Sequence, residues 1–261
     1  MSDSEPDKPD STRIPIGKYL AVFWSIIGAG LLGATLLIYG IAAGWFGELP
    51  STQQLENPET NLASKVYAKD GKLLGKYFTQ NRSKVTYDQL SHHLVNALVA
   101  TEDARFEHHP GIDVQALFRV LFFRFLLGQE DAGGGSTLSQ QLAKNLFPRQ
   151  SFDTWSEIIV RKLKEWVIAV RLERYYTKKE ILQMYFNTVS FGSNTYGIQS
   201  ATQTFFNKHP SDIKPEEAAI LVGALKATHY YSPVFNPENA KDRRNLVLQL
   251  MNKHGYLKKE T

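Results

Sequence analysis

The chain of 261 residues contains no cysteine. That excludes disulfides, thiolate zinc sites and a cysteine nucleophile, and it leaves the compartment open. Excess charge is also scarce: a net +4 suits an anionic surface or ligand and is too small to imply nucleic acid. Histidines are present, but His92, His93, His209 and His229 form no HExxH-type spacing, so no metal ligand is assigned and they read as ordinary solvated or core residues. There is no internal repeat and no low-complexity segment. Charge is absent altogether from Tyr19 to Gly47.

That uncharged run is the clearest structural signal in the sequence. A span of roughly 20 apolar residues is what an α-helix needs to cross a bilayer core, and a secretory signal would be apolar over only about 7 to 15. Tyr19, Trp24, Tyr39 and Trp45 partly mark its interfaces. Arg13 and Lys18 precede it, which orients the tail to the cytoplasm and everything after Gly47 outward. The expected organisation is a polar, disordered cytoplasmic tail over 1–17, a transmembrane helix over 18–47, a linker over 48–64 and one domain over 65–257.

Within the domain, KVYAKDGKLLGKYF places strand-forming residues on either side of Asp70 and Gly71, a pair suited to a type I′ hairpin turn. Leu90, Leu94 and Leu98 then recur at helical spacing and bring Glu102 to a helix end. Val114 to Leu127 is almost wholly apolar apart from Arg119 and Arg124 and too short to span a bilayer. It reads either as a core helix or as an interfacial helix whose arginines reach phosphate headgroups. Trp155, Ile158, Ile159, Leu163, Trp166, Val167 and Val170 define the apolar side of a long amphipathic helix over Trp155 to Tyr176. Further helices are expected over Lys178 to Phe186 after a Thr177 cap, Ile198 to Phe206, Pro215 to Ala227 and Glu238 to Asn252.

Two stretches carry candidate chemistry. ATEDARFEHHPGID has adjacent carboxylates, Glu102 and Asp103, where a helix gives way to a loop, and a carboxylate there can face a cleft as a general acid or base. The plainer reading is a solvated acidic helix end. GGGSTLSQQLAKN is no Walker loop, since Ser136 rather than lysine follows Gly135. Thr137 and Gln140 have capping-box spacing, and the helix start offers free N–H groups to an anion, with Gln141, Lys144 and Asn145 within two turns. An ordinary capped helix after a glycine loop accounts for it equally. In a third stretch, RKLKE, Arg161, Lys162 and Glu165 share one helix sector, either as an i to i+4 ion pair or as a carboxylate that orients a cation on a phosphate. Ser211 and Lys214 spell SxxK, but no SDN or KTG follows, which argues against a transpeptidase.

These three stretches, followed by ILQMYFNTVSFGSNTYGIQSA and KATHYYSPVFNP, resemble in content and order the peptidoglycan glycosyltransferases. That family includes monofunctional transglycosylases and the N-terminal domain of bifunctional class A penicillin-binding proteins. The resemblance implies a mainly α, lysozyme-like fold with a short β-hairpin, and a membrane-associated lobe around 112–135, favouring the interfacial reading of Val114 to Leu127. It implies an enzyme that polymerises lipid II into glycan strands at the bacterial cytoplasmic membrane, its catalytic domain outside. It implies Glu102 as the general base and Glu165 as the second catalytic carboxylate, with Asp103 supporting Glu102. Ser136, Gln141, Lys144, Asn145, Arg149, Arg161, Lys162 and Lys164 would bind the substrate. No cofactor is required on this reading, though magnesium or manganese could bridge the pyrophosphate. The implied partners are lipid II, undecaprenyl-pyrophosphate-linked glycan, the membrane and other cell-wall synthesis proteins. Segments around Phe122 to Asp131 and Ser151 to Glu157 look longer than the family pattern. The competing functions are a lytic enzyme using Glu102 as general acid and a non-catalytic lipid-binding scaffold.

Overall fold

The computed structural model describes residues 16–51, 54, 64–67, 73–77, 84–123, 128, 134–147, 154–193 and 195–257. The chain forms two compact units, Met1–Glu48 and Leu49–Thr261. The first contains helix α1, Ile16–Ala42, 27 residues whose most apolar 18-residue stretch has a mean hydropathy of 2.1, long and apolar enough to cross a membrane. It begins two residues before the expected span and gives way to turns at Ala43, where Gly44 and Gly47 take positive φ. The tail before Ile16 lies outside the described residues.

The second unit is mainly helical, with two small antiparallel sheets among the described residues. Strands β1, Ser64–Tyr67, and β2, Leu73–Tyr77, pair in the expected hairpin, with an irregularity at Val66 and Tyr67. The Asp70 and Gly71 turn lies outside the described residues. The helices of this unit are α2 (His92–Glu102), α3 (Val114–Leu121), α4 (Leu138–Leu146), α5 (Trp155–Tyr175), α6 (Lys178–Thr188), α7 (Ile198–Phe206), α8 (Pro215–Ala224) and α9 (Pro237–Lys253), and all but α3 contribute buried residues to the core. Strands β3, Ser190–Gly192, and β4, Thr195–Tyr196, form the short second sheet between α6 and α7.

Local chemistry sets the helix starts. Thr154 with Glu157 and Thr177 with Glu180 form capping boxes that open α5 and α6, and Pro215 occupies the first turn of α8. At α4 the expected box forms by half: the Thr137 hydroxyl accepts from Gln140 N–H, but the Gln140 side-chain nitrogen donates to Gly111 O.

Helix α2 packs against α8 and α9, while α4 packs against α5 and α6. Between them lie fully buried Leu94, Leu98, Phe106, Leu138, Leu142, Leu172, Ile181, Tyr185 and Phe186. Burying each such side chain contributes roughly 1.5 to 3 kcal/mol.

One sequence expectation needs correction. The buried stripe of α5 is Glu165, Ile168, Ala169 and Leu172, at the i, i+3, i+4, i+7 spacing of one face. Trp155, Ile158 and Ile159, expected on the apolar side facing the core, are exposed, with Trp155 at 83%. The first half of α5 extends beyond the core, so its apolar residues gain no cover. Of the two readings of Val114 to Leu127, the exposed Val114, Phe118, Phe122 and Phe123 argue against the core helix and fit the interfacial one. Arg124 to Leu127 lie outside the described residues.

Candidate active site

Glu102 is the last residue of α2 and Asp103 is its C-cap, so adjacent carboxylates diverge. Glu102 is half-buried, and its Oε2 accepts a hydrogen bond of 3.0 Å from Gln141 Nε2 on α4. Gln141 Oε1 in turn accepts from the hydroxyl of Tyr185 on α6, 2.9 Å away. Tyr185 is fully buried, and burial, reinforced by the Glu102 charge, pushes its phenol far above the ordinary range.

Asp103 turns inward. Its carboxylate is buried and accepts from His109 Nε2 at 3.0 Å and from the backbone N–H of Leu138, the first residue of α4, at 2.9 Å. His109 Nδ1 accepts from Gly111 N–H, which assigns the ring proton to Nε2 and makes that nitrogen the donor. Thus Asp103 ties the first motif to the second, and its bonds run to His109 and Leu138 rather than to Glu102. The start of α4 is correspondingly no open anion site. Leu138 N–H is taken by Asp103, Gln140 N–H by the Thr137 hydroxyl, and Gln141 N–H by Thr137 O. The anion at this dipole end is the protein's own carboxylate.

The loop after Asp103 is held from below. Gly111 has φ +99°, and a Cβ there would lie 2.9 Å from the Ala169 backbone of α5. Only glycine allows so close an approach. The Thr137 hydroxyl donates to Gly111 O at 2.7 Å. Lys178 Nζ donates to His109 O at 2.7 Å, pairs with Glu173 at 2.8 Å and lies 4.3 Å from the Phe106 ring centroid.

A cleft of about 330 Å³ opens beside these residues, lined by Glu102, Asp103, Arg105, Arg119, Ser136 and Thr137 among others. Arg105 is held by Asp113 at 3.0 Å and by Gln115. Arg119 is exposed. Ser136 connects the cleft wall to the third motif: Lys162 Nζ donates to its hydroxyl and to Glu165 Oε2, each at 2.9 Å. Glu165 is 8% exposed, and this carboxylate on the core-facing stripe of α5 has its charge matched by Lys162, three residues earlier.

The structure therefore brings Glu102, Asp103, Ser136, Gln141, Lys162 and Glu165 into one connected set. Lys144 and Asn145 sit one turn beyond Gln141, both exposed, and Arg161 and Lys164 are half-buried on either side of Lys162. Arg149 lies outside the described residues. No group of three or more His, Asp or Glu side chains is placed to hold a metal among the described residues.

Sequence reasoning assigned no role to His109, Tyr185 or Arg105, and it gave Arg119 to lipid headgroups rather than to the cleft. His109 and Arg105 stood inside the first motif and Tyr185 inside the fourth, but nothing local marks a residue whose partner lies on another helix.

Chemically, the arrangement offers a carboxylate with one fixed donor at a helix end, and an arginine-lined cleft beside it. A second, lysine-paired carboxylate adjoins the wall.

Residues 70–252 match the family described as Transglycosylase. The chain is 40% identical to penicillin-binding protein 1A of Aquifex aeolicus over 82% of this chain and 29% of that protein. It is 34% identical to penicillin-binding protein 1A of Escherichia coli over 91% of this chain and 27% of that protein. The chain thus spans under a third of the length of these relatives. A crystal structure of penicillin-binding protein 1A from Haemophilus influenzae aligns with a TM-score of 0.41 and 22% identity, over 77% of this chain and 20% of that one.

Proposed function

The chain belongs to the transglycosylase family, and from that premise we propose that it polymerises lipid II into peptidoglycan glycan strands, with Glu102 as the general base. The 4-hydroxyl oxygen of the incoming lipid II attacks the anomeric carbon of the growing chain while Glu102 takes the hydroxyl proton. The bond from that carbon to the undecaprenyl pyrophosphate breaks, the pyrophosphate leaves with the electron pair, and configuration inverts in a single displacement. Proton removal is typically worth about 10² to 10⁴ in rate, so charge building on the leaving group needs stabilising as well.

The observation that carries this reading is the pairing of Glu102 with a cleft lined by two arginines as well as by Asp103 and Asp113. Arg105 and Arg119 line it, and Lys162 binds the Ser136 hydroxyl on its wall. Cleavage of a neutral glycosidic bond would have no use for Arg119 and Lys162 at this place, whereas a departing pyrophosphate would. Lys162, Arg161, Lys164, Lys144 and Asn145 would serve the phosphates, and Glu165 would hold Lys162 in place for them. The reaction requires no cofactor, and a magnesium or manganese ion could bridge the pyrophosphate.

Helix α1 would anchor the enzyme in the bacterial cytoplasmic membrane, with Arg13 and Lys18 on the cytoplasmic side. The exposed Val114, Phe118, Phe122 and Phe123 on and after α3 would rest among acyl chains, where the lipid tail of the substrate also lies. Incubation of the purified protein with lipid II tests the reading. Long glycan product supports polymerisation; shortening of preformed glycan, with none made, would establish a lytic enzyme instead.

A further inference from the structure

Both ends of the Gln141 amide are engaged, and the two engagements require each other. An ionised carboxylate only accepts hydrogen bonds, so the amide must turn its nitrogen toward Glu102. Its oxygen then faces α6, where the Tyr185 hydroxyl donates to it. Tyr185 is 1% exposed and its phenol is pushed far above the ordinary range, chiefly by burial, so it remains a donor at any working pH. Without that hydroxyl the amide keeps only its bond to Glu102: its carbonyl oxygen loses its donor, and the side chain is held at one end instead of two.

We propose that Tyr185 is a positioning residue for the transfer reaction. Its hydroxyl locks the Gln141 amide in the orientation that aims Nε2 at Glu102, and so holds the base where it can take the acceptor's proton. The inference rests on Glu102 being that base. It also changes the role of Gln141, which serves the base through its amide rather than the pyrophosphate.

Tyr185→Phe removes one oxygen and leaves the packed ring, so the full-length, detergent-solubilised variant folds with its core filled. With lipid II as substrate, kcat should fall about tenfold in Tyr185→Phe while KM stays within about twofold, as for an interaction felt in the transition state. Gln141→Ala should do the same, and the double variant should be no worse than Gln141→Ala alone. A purely structural role for Tyr185 would lower the melting temperature without moving kcat. That result, an unchanged kcat, or losses that multiply in the double variant would overturn the proposal. If the wild-type protein makes no glycan, the functional reading fails separately, and the same cycle is read in melting temperature. Coupled losses would then retain the Tyr185–Gln141 lock, and additive losses would overturn it.

Discussion

The buried carboxylate of Asp103 sits 3.0 Å from His109 Nε2 and 2.9 Å from the backbone nitrogen of Leu138, so one side chain closes the end of α2 onto the start of α4. Its neighbour Glu102 is thereby left facing the cleft. Two adjacent acids acquire different work because one is consumed by the fold.

Replacing Asp103 with Asn would set an amide N–H against one of two donors, either His109 Nε2–H or Leu138 N–H. Leaving a buried donor unsatisfied costs about 1 to 3 kcal/mol. Asp103→Asn should therefore lower the unfolding free energy by that order in chemical denaturation of the solubilised protein. His109→Ala should do likewise, and the double variant should lose less than the sum.

Gly111→Ala is expected to be worse than its size suggests. The position combines φ +99° with a Cβ that would stand 2.9 Å from the Ala169 backbone, and backbone cannot swing aside as a side chain can. Strain and overpacking together should cost about 2 kcal/mol or more. Calorimetric melting checks this, and a variant as stable as the wild type would mean that the loop does not rest on α5 as described.

Acid should weaken α8. Burial pushes the Glu217 carboxyl up, but the hydrogen bonds from Lys208 and Lys214 N–H and the charges of both lysines outweigh it, so the group titrates below its ordinary 4.5. A depressed folded-state value contributes stability above pH 4.5 that is lost as pH falls through the folded value. The wild type should melt above Glu217→Gln at pH 7, and the two curves should converge once pH falls below the depressed folded-state value.

Much of this was legible in the sequence where the determinants are local. An uncharged run specified α1, and caps such as Thr177 with Glu180, separated by one turn, marked a helix start. Glu102 was placed at a helix end by the leucine spacing before it. What was not legible depends on distant partners. In α5 Ile158 lies two turns before Glu165 on the face that carries Glu165 and Leu172, yet only the later turns of that face meet the core. Periodicity reports that a face exists, not what will cover it. The start of α4 looked like an open anion site because its own anion, Asp103, lies 35 residues earlier. Tyr185 carried no local sign of its role because its hydrogen-bond partner lies 44 residues away.

The most direct measurement is polymerisation of lipid II by the full-length protein against its Glu102→Gln variant, with lipid II binding measured on both. Gln keeps the size of the side chain and removes the capacity to take a proton. The wild type should yield long glycan strands, and the variant should lose about 10² or more in rate while binding the substrate normally. Undiminished polymerisation by Glu102→Gln would contradict the assignment of Glu102 as the base.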